Sequence, residues 1–368
     1  MKNFKIKLIN FYRSITYKIF EILYGSIDLV AEPKNLKDID IRKIKIETTN
    51  YSIYICNKSR LYTDTIHDTA IIKDNQIVNG PSFQYRKNKN AECKFNSVLT
   101  KGTPRFKKKV EGKVLSLLTG GGGNSNYWHW LFDVLPRIHI AEKLGKDFSY
   151  DYYLFPSLDE KFQNQTLDLL NIPKHKRISS KQFRHLESDQ LIVTDHPYNL
   201  LNDPMKDSLD IPNWISSYLK KKFLNQSDID TKSKNNFPKK IYINRKDGKS
   251  HRFITNQNEV EKCLLDYEFT SLTLSDYTFK EQVQLFNNAE FIIGLHGAGF
   301  GNVIFCKPKT KVVEFNSFTA GDIIKNICKQ NNLLYSNISS ENKIFNWNNQ
   351  YGDIKVDIHK LKSHLTFD

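Results

Sequence analysis

"TFKEQVQLFNNAEFIIGLHGAGFGNVIFCKPKTKVVEF", residues 278–315, decides the fold. Thr278 and Glu281 stand in capping-box spacing and predict a helix over 278–289. "EFIIG" (290–294) reads as a short buried strand. Glycines at 294, 297, 299 and 301 then let the backbone turn; "GFGNVIFC" (299–306) reads as a short helix and "TKVVEF" (310–315) as the next strand. The alternation extends upstream. "KKIYINR" (239–245) and "FTSLTL" (269–274) read as strands, and "NQNEVEKCLLDY" (256–267) reads as a helix with Asn256 and Glu259 spaced as a capping pair. Strands alternating with helices predict a parallel sheet with crossovers. In such sheets ligands sit beyond the carboxyl ends of the strands.

That edge collects groups suited to an anion. Arg245 ends the first strand, and Lys249 and Arg252 lie in the following loop, where guanidinium forks suit phosphate. The glycine turn precedes a helix whose free N–H groups suit phosphate oxygens, and His296 can donate to the same group. Glu314, near the end of the next strand, offers a carboxylate to ribose hydroxyls. A plain strand–helix turn with no ligand is the simpler account of the glycines alone. No Gly-Lys-Ser/Thr follows them, so this is no Walker loop, and the dinucleotide fingerprint belongs to a first strand.

The amino-terminal half carries a second signal, "GGGGNSNYWHWLFDVLPRI" (120–138). On a helix with Asn126 at 0°, His129 falls at about −60°, Asp133 at about −20° and Arg137 at about +20°. The aliphatic and aromatic residues point elsewhere. The ionisable groups thus form one polar stripe on a buried helix, which is costly unless they are paired or face a cavity. His129 and Asp133 are i,i+4 neighbours. They either satisfy each other in a core or form a dyad, in which Asp133 fixes the tautomer and leaves the other imidazole nitrogen as a general base. Gly120–Gly123 release the chain from the strand "VLSLLTGG", Asn124, Ser125 or Asn126 caps the helix, and Pro136 is a candidate kink.

The remaining features set bounds. At 368 residues the chain predicts about two domains. A net charge of +15 attracts anionic partners, yet no RNA-recognition signature or zinc-finger spacing points to nucleic acid. Cys56, Cys93, Cys263, Cys306 and Cys328 are far apart, which argues for reduced thiols and a cytoplasmic setting. Asp-x-Asp occurs at Asp38–Asp40 and Asp228–Asp230, neither at a predicted strand end where a metal pair belongs; no metal and no cofactor is expected. Residues 1–24 are too interrupted by Arg13 and Lys18 for a membrane span. They form a basic amphipathic helix that either packs on its own protein or lies on an anionic membrane, the inner face of the cell membrane being the natural one. The domain reading is 1–205, an α/β domain; 206–238, a linker with a helical middle; 239–345, a Rossmann-like domain; and 346–368, a tail packing back on the first domain.

The blocks "NYWHWLFDVLPRI", "KKIYINRKDGKSHRFITNQNEVE" and "FKEQVQLFNNAEFIIGLHGAGFGNVIFCKPKTKVVEF", in this order, resemble glycosyltransferase family 61, the capsular-polysaccharide-type transferases. The resemblance covers about residues 110–320. It implies an α/β, GT-B-like fold, with two Rossmann-like domains facing across a cleft. It implies inverting, metal-independent transfer from a nucleotide sugar, usually a UDP sugar, to a glycan acceptor, including lipid-linked ones. The family's Asn-x-x-His-x-x-x-Asp pattern falls on Asn126, His129 and Asp133, and its paired arginines on Arg245 and Arg252. Its His-Gly-Ala-Gly turn falls on His296, Gly297, Ala298 and Gly299, followed by Asn302. Phe300-Gly301 stands where the family commonly has Leu-Thr. A catalytically silent nucleotide- or glycan-binding protein is the alternative.

Overall fold

The computed structural model describes residues 2–84, 92–119, 125–145, 148–198, 209–227, 237–248, 252–317, 321–340 and 353–366. Gly120–Gly123, Asn124, Lys249 and Asp228–Asp230 lie outside these. The chain divides into two compact units, Met1–Gln163 with Asn171–Asp207, and Asn164–Leu170 with Ser208–Asp368.

The first unit is built on one ten-stranded sheet. Its strands are β1 (Leu29–Ala31), β2 (Ile39–Ile46), β3 (Thr49–Thr63), β4 (Asp68–Lys73), β5 (Gln76–Val78), β6 (Phe83–Gln84), β7 (Lys108–Ser116), β8 (Tyr152–Phe155), β9 (Arg177–Ser179) and β10 (His185–Thr194). The order is β1-β5-β4-β3-β10-β7-β8-β9, with β2 on β3 and β6 on β4. Only part of it matches the expected Rossmann-like domain. β10, β7, β8 and β9 run parallel, whereas β2, β3 and β4 form an antiparallel meander joined to β10 through β3. The turn-linked strands of residues 39–84 explain the difference, because tight turns join antiparallel neighbours. Val114, Leu154, Leu186 and Leu191 lie in its buried core.

The second unit carries β11 (Lys240–Ile243), β12 (Thr270–Leu272), β13 (Phe291–Leu295), β14 (Lys311–Ser317) and β15 (Leu334–Ser340). All pairs are parallel, in the order β12-β11-β13-β14-β15. The chain leaves β11 to one side, returns past it, and continues to the other. The crevice between the carboxyl ends of β11 and β13 is therefore the topological switch point, where ligands of such sheets bind. Thr278 and Glu281 form the predicted capping box on helix Phe279–Asn288.

Three readings need correction. Residues 206–238 were read as a linker with a helical middle; the helix is there, Asn213–Ser227, but it belongs to the second unit. Its Ile215, Leu219 and Phe223 are buried, and the Phe223 ring meets those of Phe279 and Phe305 inside the second unit. An apolar stripe at i, i+4, i+8 is what a core-facing helix requires. Asn256 stands at the N-cap of helix Gln257–Asp266 and its amide donates to the Glu259 carboxylate at 3.2 Å, but its side-chain oxygen accepts from no helix N–H. Its side chain instead clasps the backbone of Val356, donating to the carbonyl and accepting from the N–H, both at 2.9 Å. That clasp belongs to the third correction. The tail packs on the second unit, where Ile354, Val356, Leu361 and Leu365 share a core with Val260, Cys263 and Ile293.

Leu361 is fully buried on helix Ile358–Leu365. Leu361→Ala is expected to destabilise the second unit by about 3 kcal/mol through lost burial and the cavity left behind. Urea unfolding of the full chain checks this; an unchanged midpoint would place the tail elsewhere.

Candidate active site

In the first unit, Asn126 caps the helix entry, its side chain accepting from Trp128 N at 2.9 Å. One α-turn, Tyr127–His129, leads into a π-helical segment, Trp130–Val134, and then into helix Leu135–Glu142. Pro136 sits in the first turn of that last helix and has no N–H to offer the carbonyl of Phe132. The wider π-turn absorbs this, and such turns recur at functional sites.

Asp133 lies within the π segment and is almost wholly buried. Its Oδ2 meets His129 Nδ1 at 2.7 Å, and its Oδ1 accepts from the Tyr198 hydroxyl at 2.6 Å. His196 Nε2 stands 3.7 Å from Oδ2, and its ring packs edge-on against Tyr198 at 4.6 Å. The His129 side chain keeps 36 % of its surface open, against 5 % for Asp133. Its Nε2 makes no hydrogen bond among the described residues. The polar stripe is therefore a dyad open on one side.

Electrostatics follow from this packing. Burial favours a neutral His129 imidazole, but the Asp133 charge and hydrogen bond outweigh it and raise its pKa above the ordinary 6.5. Burial alone would raise the Asp133 carboxyl; His129 and His196 together hold it well below the usual range. Burial dominates for His196, which is shifted down and kept neutral. Arg137 is buried, and its charge acts on Asp195 and His196. Its place is inside the wall behind the dyad.

His196 and Tyr198 were not singled out from sequence. They follow β10, which pairs in parallel with β7, Val193 opposite Ser116. Both strands thus end at the same sheet edge, and the dyad helix follows β7. A polar "DHPY" directly after a buried strand was the available signal.

In the second unit the switch point holds the expected arginines. Arg245 Nη1 and Arg252 Nη1 both donate to the His296 carbonyl, at 2.9 and 2.5 Å. Two guanidinium groups drawn to one neutral oxygen concentrate positive charge where β11 and β13 end. Burial lowers the Arg245 pKa, and Asp247 partly offsets this. Gly297 makes the approach possible: a Cβ there would sit 1.9 Å from Arg245 Nη1. Gly299 is similarly closed in by Leu274, at 2.8 Å. Ala298 begins the helix after the turn, which is a 3-10 helix, Ala298–Phe305, and not an α-helix.

Glu314 is corrected. It was read as a ribose ligand, but it is fully buried and both oxygens are engaged, by His296 Nδ1 and by the Tyr335 hydroxyl at 2.6 Å. Tyr335 stays a donor, since burial and the Glu314 charge raise its pKa. Glu314 thus positions His296 and leaves its Nε2 free of hydrogen bonds among the described residues. Asn302 is also fully buried, donating to Gln282 at 3.1 Å. It braces the turn from beneath. Asp40 pairs with Arg42, and Asp38 lies 3.6 Å from Lys73. Among the described residues no cluster of three His, Cys, Asp or Glu side chains has the form of a metal site. All five cysteines are free and buried.

The His129–Asp133 pair has a defined pH signature. Its stabilising effect is present above pH about 4, once Asp133 would ionise in the unfolded chain, and is lost as pH rises through the raised His129 value. His129 is expected to titrate above 6.5 by NMR of its imidazole. In Asp133→Asn burial acts without the carboxylate, so the value falls below 6.5. Equal titrations in both proteins would contradict the pairing.

No curated protein matches the chain. The model of the family described as Glycosyltransferase 61 matches residues 127–313, just over half of the 368 residues. The match takes in His129, Asp133, Arg245, Arg252 and the His296 turn, and stops short of Asn126 on one side and Glu314 on the other. The chain belongs to glycosyltransferase family 61.

Proposed function

We propose that the protein is an inverting transferase. It moves a sugar from a nucleotide sugar, a UDP sugar in the first instance, to a hydroxyl of a surface polysaccharide of the capsular type. One side chain carries this reading: His129, with Nδ1 held by a buried carboxylate and Nε2 left open. An imidazole so arranged accepts a proton at Nε2 while Asp133 stabilises the resulting charge. The acceptor hydroxyl gives its proton to Nε2, and its oxygen bonds to the anomeric carbon. The bond from that carbon to the diphosphate oxygen breaks on the opposite face, and the diphosphate keeps the electron pair. Configuration inverts.

The second unit takes the donor in this reading, and the two units act as the halves of a GT-B enzyme. Arg245, Arg252 and the turn at Gly297–Gly299 receive the diphosphate, with Lys249 as a further cation. Fixed positive groups stabilise charge on the leaving oxygen without needing to reorganise, so a chelator is expected to leave turnover unchanged.

The division of labour gives separable outcomes. His129→Ala is expected to lower transfer at least a hundredfold while UDP affinity, measured by calorimetry, stays within twofold. Gly297→Ala displaces the flexible end of Arg245 at little cost in folding and is expected to weaken UDP at least tenfold, as Arg245→Ala does. UDP binding with no transfer to any acceptor would establish the silent binding protein instead. Full turnover in His129→Ala would remove the imidazole from the mechanism. A base acting on the acceptor also requires neutral His129, so kcat/KM should rise through a pKa above 6.5.

A further inference from the structure

Among the described residues, helix Lys2–Tyr24 is held to the body through its carboxyl-terminal end. Its last turns dock on the first unit: Phe20 meets Phe106 edge-on at 5.2 Å, Tyr24 meets His185 at 4.9 Å, and the Tyr24 hydroxyl accepts from Lys107 N. The docked side chains lie about 140–180° round the axis from the centre of the apolar stripe. That stripe, Phe4, Leu8, Phe11, Ile15, Ile19 and Ile22, is exposed throughout, from 45 % at Ile15 to 79 % at Ile22. The expectation that the helix packs its apolar side on its own protein is therefore not met. The side facing the body is the other one.

We infer that this helix docks the protein on an anionic lipid surface, with the stripe immersed and the helix lying in the interface. The inference does not rest on the proposed reaction. A contiguous apolar row of this size is unusual on a surface that stays in water. The helix is not long and apolar enough to span a bilayer, which leaves the interfacial orientation. Charge selects the occupant. Lys7, Arg13 and Lys18 are exposed on the helix, with Glu21 as the acid among its described side chains. Arg105, Lys108 and Lys109 are exposed on the stretch that meets its docked end. A second copy would bring the same positive charges together, whereas anionic headgroups neutralise them.

The test uses the full chain and vesicles of phosphatidylcholine with about a third phosphatidylglycerol. The protein is expected to sediment with these and at least tenfold less with phosphatidylcholine alone. A variant carrying Ile15→Ser, Ile19→Ser and Ile22→Ser keeps every charge and touches no docked residue. It should melt like the parent and bind the anionic vesicles at least tenfold more weakly. Equal binding by variant and parent would assign attraction to the general +15 charge and overturn the proposal. So would a parent that ignores vesicles but forms a dimer that the variant cannot form, since the stripe would then be an interface between copies.

Discussion

Each unit sets an imidazole against a buried carboxylate. In the first, His129 Nδ1 meets Asp133, whose second oxygen accepts from Tyr198. In the second, His296 Nδ1 meets Glu314, whose second oxygen accepts from Tyr335. An ionised carboxylate in a dry core costs several kcal/mol unless its lone pairs are satisfied, and here both oxygens of both acids are. The tyrosine makes this possible: it completes the acid without adding charge, so the histidine is held by one nitrogen and presents the other. Glu314 sits on a strand beside Val312, Val313 and Phe315, all buried, where no solvent would replace a lost partner.

The backbone places these acids. Parallel strands end at one edge, and the candidate site groups of both units come from the segments that leave such edges. In the first unit the dyad helix follows β7 and Tyr198 follows its neighbour β10. In the second, Arg245 follows β11 and the glycine turn follows β13, the two strands flanking the switch point. The first unit keeps this logic only where its sheet is parallel. Its antiparallel meander supplies no residue to the dyad and holds the amino-terminal helix through Tyr24 and Arg60.

The sequence made much of this legible, and its failures have physical causes. β11 to β14 are short apolar runs between helices, one of them with a complete capping box, so local pattern and global fold agree. β15 escaped notice because "LYSNISS" is half polar, as an edge strand is free to be. The His129–Asp133 pair was readable because both residues sit on one helix. Tyr198 lies 65 residues from Asp133 and Tyr335 lies 21 from Glu314, and only strand pairing brings them close. Glu314 was misread for the same reason: a carboxylate near a strand end advertises a ligand until the neighbouring strand shows what its oxygens already hold. Asn256 repeats the lesson, its capping spacing being overridden by a tail a hundred residues away.

The two imidazoles share a bonding pattern but differ in exposure, and exposure separates their uses. His129 keeps a third of its side chain open, so its free nitrogen can exchange a proton with whatever sits there. The Asp133 charge and hydrogen bond raise its pKa, and a stronger base draws a proton more readily. His296 is nearly closed off, at 8 %, and two guanidinium groups lie on its own carbonyl. The same carboxylate–imidazole–tyrosine device thus yields an imidazole open to its surroundings at one sheet edge. On the other it yields a closed element whose backbone carbonyl holds two guanidinium groups.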